Sequence, residues 1–129
     1  MNQDHEKVLE YRMLYQQLQQ LQQNLTGLEQ HLQELGKLQE TLEHLSKVES
    51  DKDVLIPLGS GIFFKGKILD TSKLIMNVGA NILVEKTVPE AVETVQKQAN
   101  EVEQLLLQLE QEAGQIADQL EEVKKDIQE

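Results

Sequence analysis

Residues 54–86 read VLIPLGSGIFFKGKILDTSKLIMNVGANILVEK, and in them apolar or glycine positions recur at every second residue in four short bursts. The bursts are Val54, Ile56, Leu58; Ile62, Phe64, Gly66, Ile68; Leu74, Met76, Val78; and Ile82, Val84. Period-two alternation is the pattern of a strand, because successive side chains point to opposite faces. Turn signals at Leu58-Gly59-Ser60-Gly61, Asp70-Thr71-Ser72-Lys73 and Gly79-Ala80-Asn81 divide the four strands into two hairpins in series. Leu55, Phe63, Leu69, Ile75 and Leu83 place apolar groups on the opposite faces as well. A sheet apolar on both sides must be covered on both sides, and this short chain lacks the material to do so. The β region is therefore expected to assemble with other chains, which also closes its strand edges.

The flanks have a different rhythm. Residues 1–50 carry 8 acidic and 4 basic side chains, 51–100 carry 6 and 6, and 101–129 carry 9 and 2, so acidic flanks enclose a neutral middle. Tyr11, Leu14, Leu18, Leu21, Leu25, Leu28, Leu32 and Leu35 alternate steps of three and four, which is a heptad stripe on one helical face. Leu38, Leu42 and Leu45 continue in a shifted frame, and a three-residue slip of this kind would overwind a coiled coil locally. From Val88 through Val92, Val95, Ala99, Val102, Leu106, Leu109, Ala113, Ile116, Leu120 and Val123 to Ile127 the rhythm is unbroken. Thr87 with Glu90 forms a capping box, and Pro89 sits in the first turn where its missing N–H costs nothing. The expected architecture is α+β, mostly α: helices over 4–50 and 88–128 forming a long antiparallel two-helix coiled coil, connected by two β-hairpins over 53–87, in a single domain 1–129. Gly27, Gly36 and Gly114 put the straightness of the helices in question.

Composition excludes several functions. The chain has 129 residues, a net charge of −11, no Cys and only 3% aromatic residues. Few rings argue against a compact single-core enzyme. Without Cys there is no disulfide, zinc-thiolate site or thiol chemistry. The acidic balance repels nucleic acid and anionic membrane surfaces. No apolar run reaches the ~18 residues of a membrane span, and the N-terminus is too polar for a signal peptide, so a cytoplasmic address is expected.

Motifs for chemistry are weak. Gly59-Ser60-Gly61 has Phe64 where a dinucleotide fingerprint needs a third glycine, and strand rather than helix follows. Ser60 lacks the setting of a nucleophile elbow. His5, His31 and His44 lie far apart, and Glu40 with His44 offers only two metal ligands. Carboxylates such as Glu101, Glu110 and Glu121 read as a solvated face, and the eighteen Gln residues suit outward positions of long helices. No catalytic group, metal or cofactor is expected.

One feature resists this bland reading. Val8, Leu9, Met13 and Tyr15 are apolar and fall off the seam that Tyr11 and Leu14 continue. In an antiparallel hairpin of helices Leu120, Val123 and Ile127 join that end. These side chains either pack on a third helix or staple a fraying terminus, or they form an exposed apolar surface for soft, unspecific contacts.

With its order of helix, two hairpins and matching helix, and above all its Ile-Pro-Leu-Gly-Ser-Gly stretch at 56–61 and Val-Gly-Ala-Asn-Ile-Leu-Val-Glu-Lys at 78–86, the chain resembles the α class of prefoldin subunits over its whole length, and looks most like an archaeal member. The resemblance implies a hexamer of two such chains with four β-class subunits, its hairpins forming a β-barrel platform from which coiled coils hang. It implies capture of unfolded polypeptides at the coil tips without ATP, and their transfer to a group II chaperonin. On that reading Val8, Leu9, Tyr11, Met13, Leu14, Tyr15, Val123 and Ile127 bind clients, and Ile56, Ile62, Phe63, Phe64, Ile68, Ile75, Ile82 and Val84 serve assembly. Residues alone leave open a structural coiled-coil spacer with one fixed partner, and, less well supported, an enzyme.

Overall fold

In a computed structural model of the chain, residues 2–128 are described. The elements run α1 (Asn2–Leu45), β1 (Asp53–Gly59), β2 (Ile62–Lys67), β3 (Lys73–Asn77), β4 (Leu83–Thr87) and α2 (Val88–Gln128). Helix α1 thus stops five residues short of Ser50. Lys47 N–H donates to the His44 carbonyl and Val48 N–H to that of Leu45, tightening the chain out of the α-helix. Two compact units result, one holding residues up to Glu34 and from Ala99, the other Leu35–Gln98.

In the first unit the start of α1 lies beside the end of α2, since Lys7 Nζ is 3.4 Å from Asp126 Oδ2, and the helices are antiparallel. Tyr11, Leu14, Leu18, Leu21, Leu25, Leu28 and Leu32 are all half-buried, while Leu106, Leu120 and Val123 of α2 are buried. Three-four spacing keeps one stripe facing the partner helix, and this narrow stripe is the unit's whole core.

The second unit carries the last turns of α1, the strands and the first turns of α2. Its buried side chains are Leu35, Leu42, Val88, Ala91 and Val95. Here the slip expected at Leu35–Leu38 does not occur. Leu38 is 44% exposed, Gln39 is half-buried and Leu42 is buried, so the seam runs Leu32, Leu35, Gln39, Leu42 without a change of frame. A polar residue occupies a seam position, and a neighbouring leucine on the wrong side mimics a frame shift.

The strands form two separate two-stranded antiparallel sheets, β1 with β2 and β3 with β4. Pro57 lies opposite Phe63 and Asn77 opposite Leu83, and the two turns share one conformation. Gly59, Ser60 and Gly61 have φ of 122°, 51° and 78°; Gly79, Ala80 and Asn81 have 117°, 52° and 61°. Two consecutive positive φ values mark a type I′ turn, whose twist matches that of the strands it joins. The second hairpin therefore repeats the first, with Ala80 and Asn81 standing where the first has Ser60 and Gly61. Asn77 Oδ1 accepts the Gly79 N–H at 2.9 Å and Gly79 C=O accepts the Ile82 N–H at 2.9 Å, which holds the second turn.

Strand β4 passes directly into α2, and Thr87 caps the helix. Glu90 N–H donates to Thr87 Oγ1 at 3.2 Å, while Thr87 N–H and Oγ1 donate to Glu90 Oε1 at 3.3 and 2.9 Å. The Thr87 hydroxyl, then its N–H, hold the Glu90 carboxyl below the usual glutamate range.

Three substitutions are expected to shift stability. Gly79→Ala, forced to a φ that L side chains rarely adopt, should lower stability by about 1–3 kcal/mol. Gly114→Ala, whose added methyl meets open space on α2, should raise it by about 1 kcal/mol; thermal melts of both variants check the pair. Because the Glu90 pKa is depressed on folding, the capping box contributes fully above the ordinary glutamate value, and its contribution fades as pH falls through the lowered one. A Thr87→Ala variant should be less stable than the parent at neutral pH, and the gap should narrow in acid without closing, because the Glu90 N–H still bonds the Thr87 hydroxyl there; melts followed by circular dichroism measure it.

Candidate functional site

The β-hairpins leave apolar faces open. In the first, Val54 pairs with Gly66 and Ile56 with Phe64 on one face, and Leu55 and Phe63 occupy the other. Ile56 leans over Gly66: an added Cβ would meet Ile56 Cδ1 at 2.7 Å, so a larger residue would turn the end of that exposed side chain aside. In the second, Leu74, Met76, Val84 and Lys86 share a half-buried face, while Ile75 and Leu83 stand on the exposed one beside the Lys73–Glu85 pair at 3.9 Å. Of the assembly candidates, Ile56, Ile62, Phe63, Phe64, Ile75 and Ile82 are exposed, and Ile68 and Val84 are half-buried. Ile68 lies just past β2 but still extends its ladder, donating to the Lys52 carbonyl and accepting from the Asp51 N–H. Leu58, Leu69 and Val78 are exposed too, Leu69 by 84%, although sequence reasoning did not single them out as site residues.

The first unit carries the second surface. Val8, Leu9, Met13 and Tyr15 are exposed, and the Tyr11 and Tyr15 rings stack with centroids 6.3 Å apart and 14° between planes. Tyr11, Leu14 and Ile127 are half-buried in the seam. Val123 is only 5% exposed, which withdraws it from any open surface: its heptad position points it at α1, so the seam claims it. Lys7 reaches both helices at this end, 3.8 Å from Glu10 on its own helix as well as close to Asp126, in exposed pairs that add little stability. Leu105 and Leu107 of α2 are exposed as well, a surface sequence reasoning missed. The run Leu105-Leu106-Leu107 held the signal, because three consecutive residues cannot all face one seam.

Elsewhere the chemistry is sparse. Gly59-Ser60-Gly61 is a hairpin turn with strands on both sides. Asp70 Oδ1 accepts the Ser72 N–H at 2.8 Å and its Oγ–H at 2.6 Å, and these bonds, the hydroxyl's first, lower the Asp70 pKa in the loop between the hairpins. His31 Nδ1 is 3.9 Å from Glu34 Oε2. Among the described residues no three metal-ligating side chains cluster, and no helix is long and apolar enough to cross a membrane.

Helices that bury a leucine seam, joined to hairpins whose apolar faces stand open, define the class of coiled-coil assembly subunits. The family model described as prefoldin subunit matches residues 14–129. Prefoldin subunit alpha of Pyrococcus horikoshii is 35% identical across 96% of this chain and 90% of its own length. The corresponding subunit of Thermofilum pendens is 28% identical across 92% of each. Among solved structures, the filamentous PFD of Methanocaldococcus jannaschii superposes with a TM-score of 0.79 over 89% of this chain and 95% of that one, at 24% identity. The chain belongs to the prefoldin family, in its alpha-subunit class.

Seam and open surface should separate in a melt. Leu120→Ala, at a buried seam position, should cost about 2 kcal/mol or more. Leu107→Ser, on the exposed side of α2, should stay within about 0.5 kcal/mol of the parent. Helix signal against temperature measures both.

Proposed function

We propose that this chain is the alpha-type subunit of a chaperone that holds unfolded polypeptides without ATP and delivers them to a group II chaperonin. In this reading residues 1–129 act as one prefoldin-like domain in the cytoplasm. Two such chains join four β-class subunits, and the open hairpin faces close into a β-barrel platform. No catalytic step is involved. Family membership supports a chaperone subunit. The observation that carries the rest is the double exposure of apolar side chains, on the strands and at the end of the coil.

The strand faces suit a permanent interface. Ile56, Phe63 and Phe64 would gain about 1.5–3 kcal/mol each on full burial, and the paired edges gain hydrogen bonds in addition. The surface of Val8, Leu9, Met13 and Tyr15 is smaller and lies on one helix. Single contacts of that size, reduced by the entropy of association, hold an unfolded chain weakly. Several tips around one client raise the effective concentration and turn weak contacts into capture with no specific pocket. Acidic coils, net −7 over residues 101–129, keep particles apart by mutual repulsion.

Two variants test the two surfaces. Phe63→Ser with Phe64→Ser should lower the assembled mass in light scattering while the helix signal of the chain persists, because both rings are exposed within one protomer. Replacing Val8, Leu9, Met13 and Tyr15 by Ser should leave the assembled mass unchanged and abolish suppression of aggregation of unrelated denatured proteins. Full holding activity in that intact particle would refute the tip reading and favour a client site on the inner walls of the assembly, whereas a parent particle that suppresses no aggregation would favour the fixed-partner spacer.

A further inference from the structure

We propose that Met13 is an oxidation site through which peroxides and hypohalous acids weaken client holding. The inference rests on the reading of the α1 tip as the client surface and adds a regulation to it. Of the three methionines, Met1 lies outside the described residues and Met76 is half-buried on the β3–β4 face, opposite Val84. Met13 is 63% exposed, more than Val8, Leu9 or Tyr15 beside it. Leu9 and Met13 are four residues apart on α1, so they form one apolar ridge on the helix surface.

Attack at sulfur needs nothing more than access. The thioether donates an electron pair to one peroxide oxygen, the O–O bond breaks, and an S–O bond forms. Sulfur is oxidised to the sulfoxide, and the departing hydroxide takes up a proton as water. A flexible apolar side chain thereby becomes a polar one with a strong dipole, on a ridge whose attraction for an unfolded chain is burial of apolar surface. The seam is untouched, because Met13 is not part of it, so the coil should survive the change. The sulfoxide is reducible, which makes the effect reversible in the presence of a methionine sulfoxide reductase.

The test uses the full chain in its assembled form, treated with dilute hydrogen peroxide and digested for mass spectrometry. The peptide bearing Met13 should gain one oxygen well before the peptide bearing Met76. At that point several-fold more protein should be needed to suppress aggregation, with helix signal and assembled mass unchanged. Met13→Leu should keep its holding activity through the same treatment, and untreated Met13→Gln should resemble the oxidised parent. Complete oxidation of Met13 with unchanged holding, earlier oxidation of Met76, or equal loss in Met13→Leu would each overturn the proposal. The four-residue Ser variant separates the two readings: if it loses holding while the oxidised parent does not, the oxidation proposal alone fails. If it holds clients fully, the tip reading fails and the oxidation proposal with it.

Discussion

A β-hairpin of two strands cannot hide both of its faces and both of its edges, and this chain contains two such hairpins in separate sheets. Eleven large apolar side chains between Leu55 and Leu83 stand exposed, against eight buried hydrophobic residues among all those described. The imbalance shapes everything else. A protein that spent its apolar residues on its own core would bury them; here the best of them, both phenylalanines included, stand exposed within the protomer.

The helices solve a different problem with different means. A seam of leucine and valine at three-four spacing needs no aromatic rings and no large core, only a partner helix alongside. Polar and charged side chains fill most of the remaining positions, and they cost little there because they stay in water. The two regimes meet at Thr87, which ends the β3–β4 ladder and caps α2 within one residue. That junction lets a change from period two to period 3.6 happen without a loop. Just beyond it Val88, Ala91 and Val95 are buried and Val92 and Thr94 half-buried, so the first turns of α2 are covered over a wider face than a two-helix seam requires.

The heptads, the four strands and the capping box were legible because each is a local pattern: side-chain period and cap chemistry act within a few residues. Errors arose where burial depends on a partner helix. Leu38 looked like a seam residue and Gln39 did not, since hydrophobicity was the only clue, yet position along the unbroken frame decided between them. Ala91 escaped notice because a methyl group carries little hydrophobic signal, although Val88-Ala91-Val92-Val95 has the spacing of one helical face. Val123 stands both in the heptad frame and near the open apolar end of the coil, and burial shows that the frame decides, closing it inside the coil.

By itself, the amino-acid sequence determined the class of every element, the absence of thiol chemistry, the acidic flanks and the surplus of apolar strand residues, because these follow from composition and from periods of two and 3.6. It also contained the similarity of the two hairpins, unread, since Gly59-Ser60-Gly61-Ile62 and Gly79-Ala80-Asn81-Ile82 share only two residue types. That equivalence became visible in their φ angles, because a type I′ turn can be built from serine, alanine or asparagine as well as glycine when the flanking strands enforce it. Tertiary structure alone decided which apolar side chains are sealed in the seam and which remain open. Exposure belongs to a pair of surfaces, and no single stretch of sequence contains both.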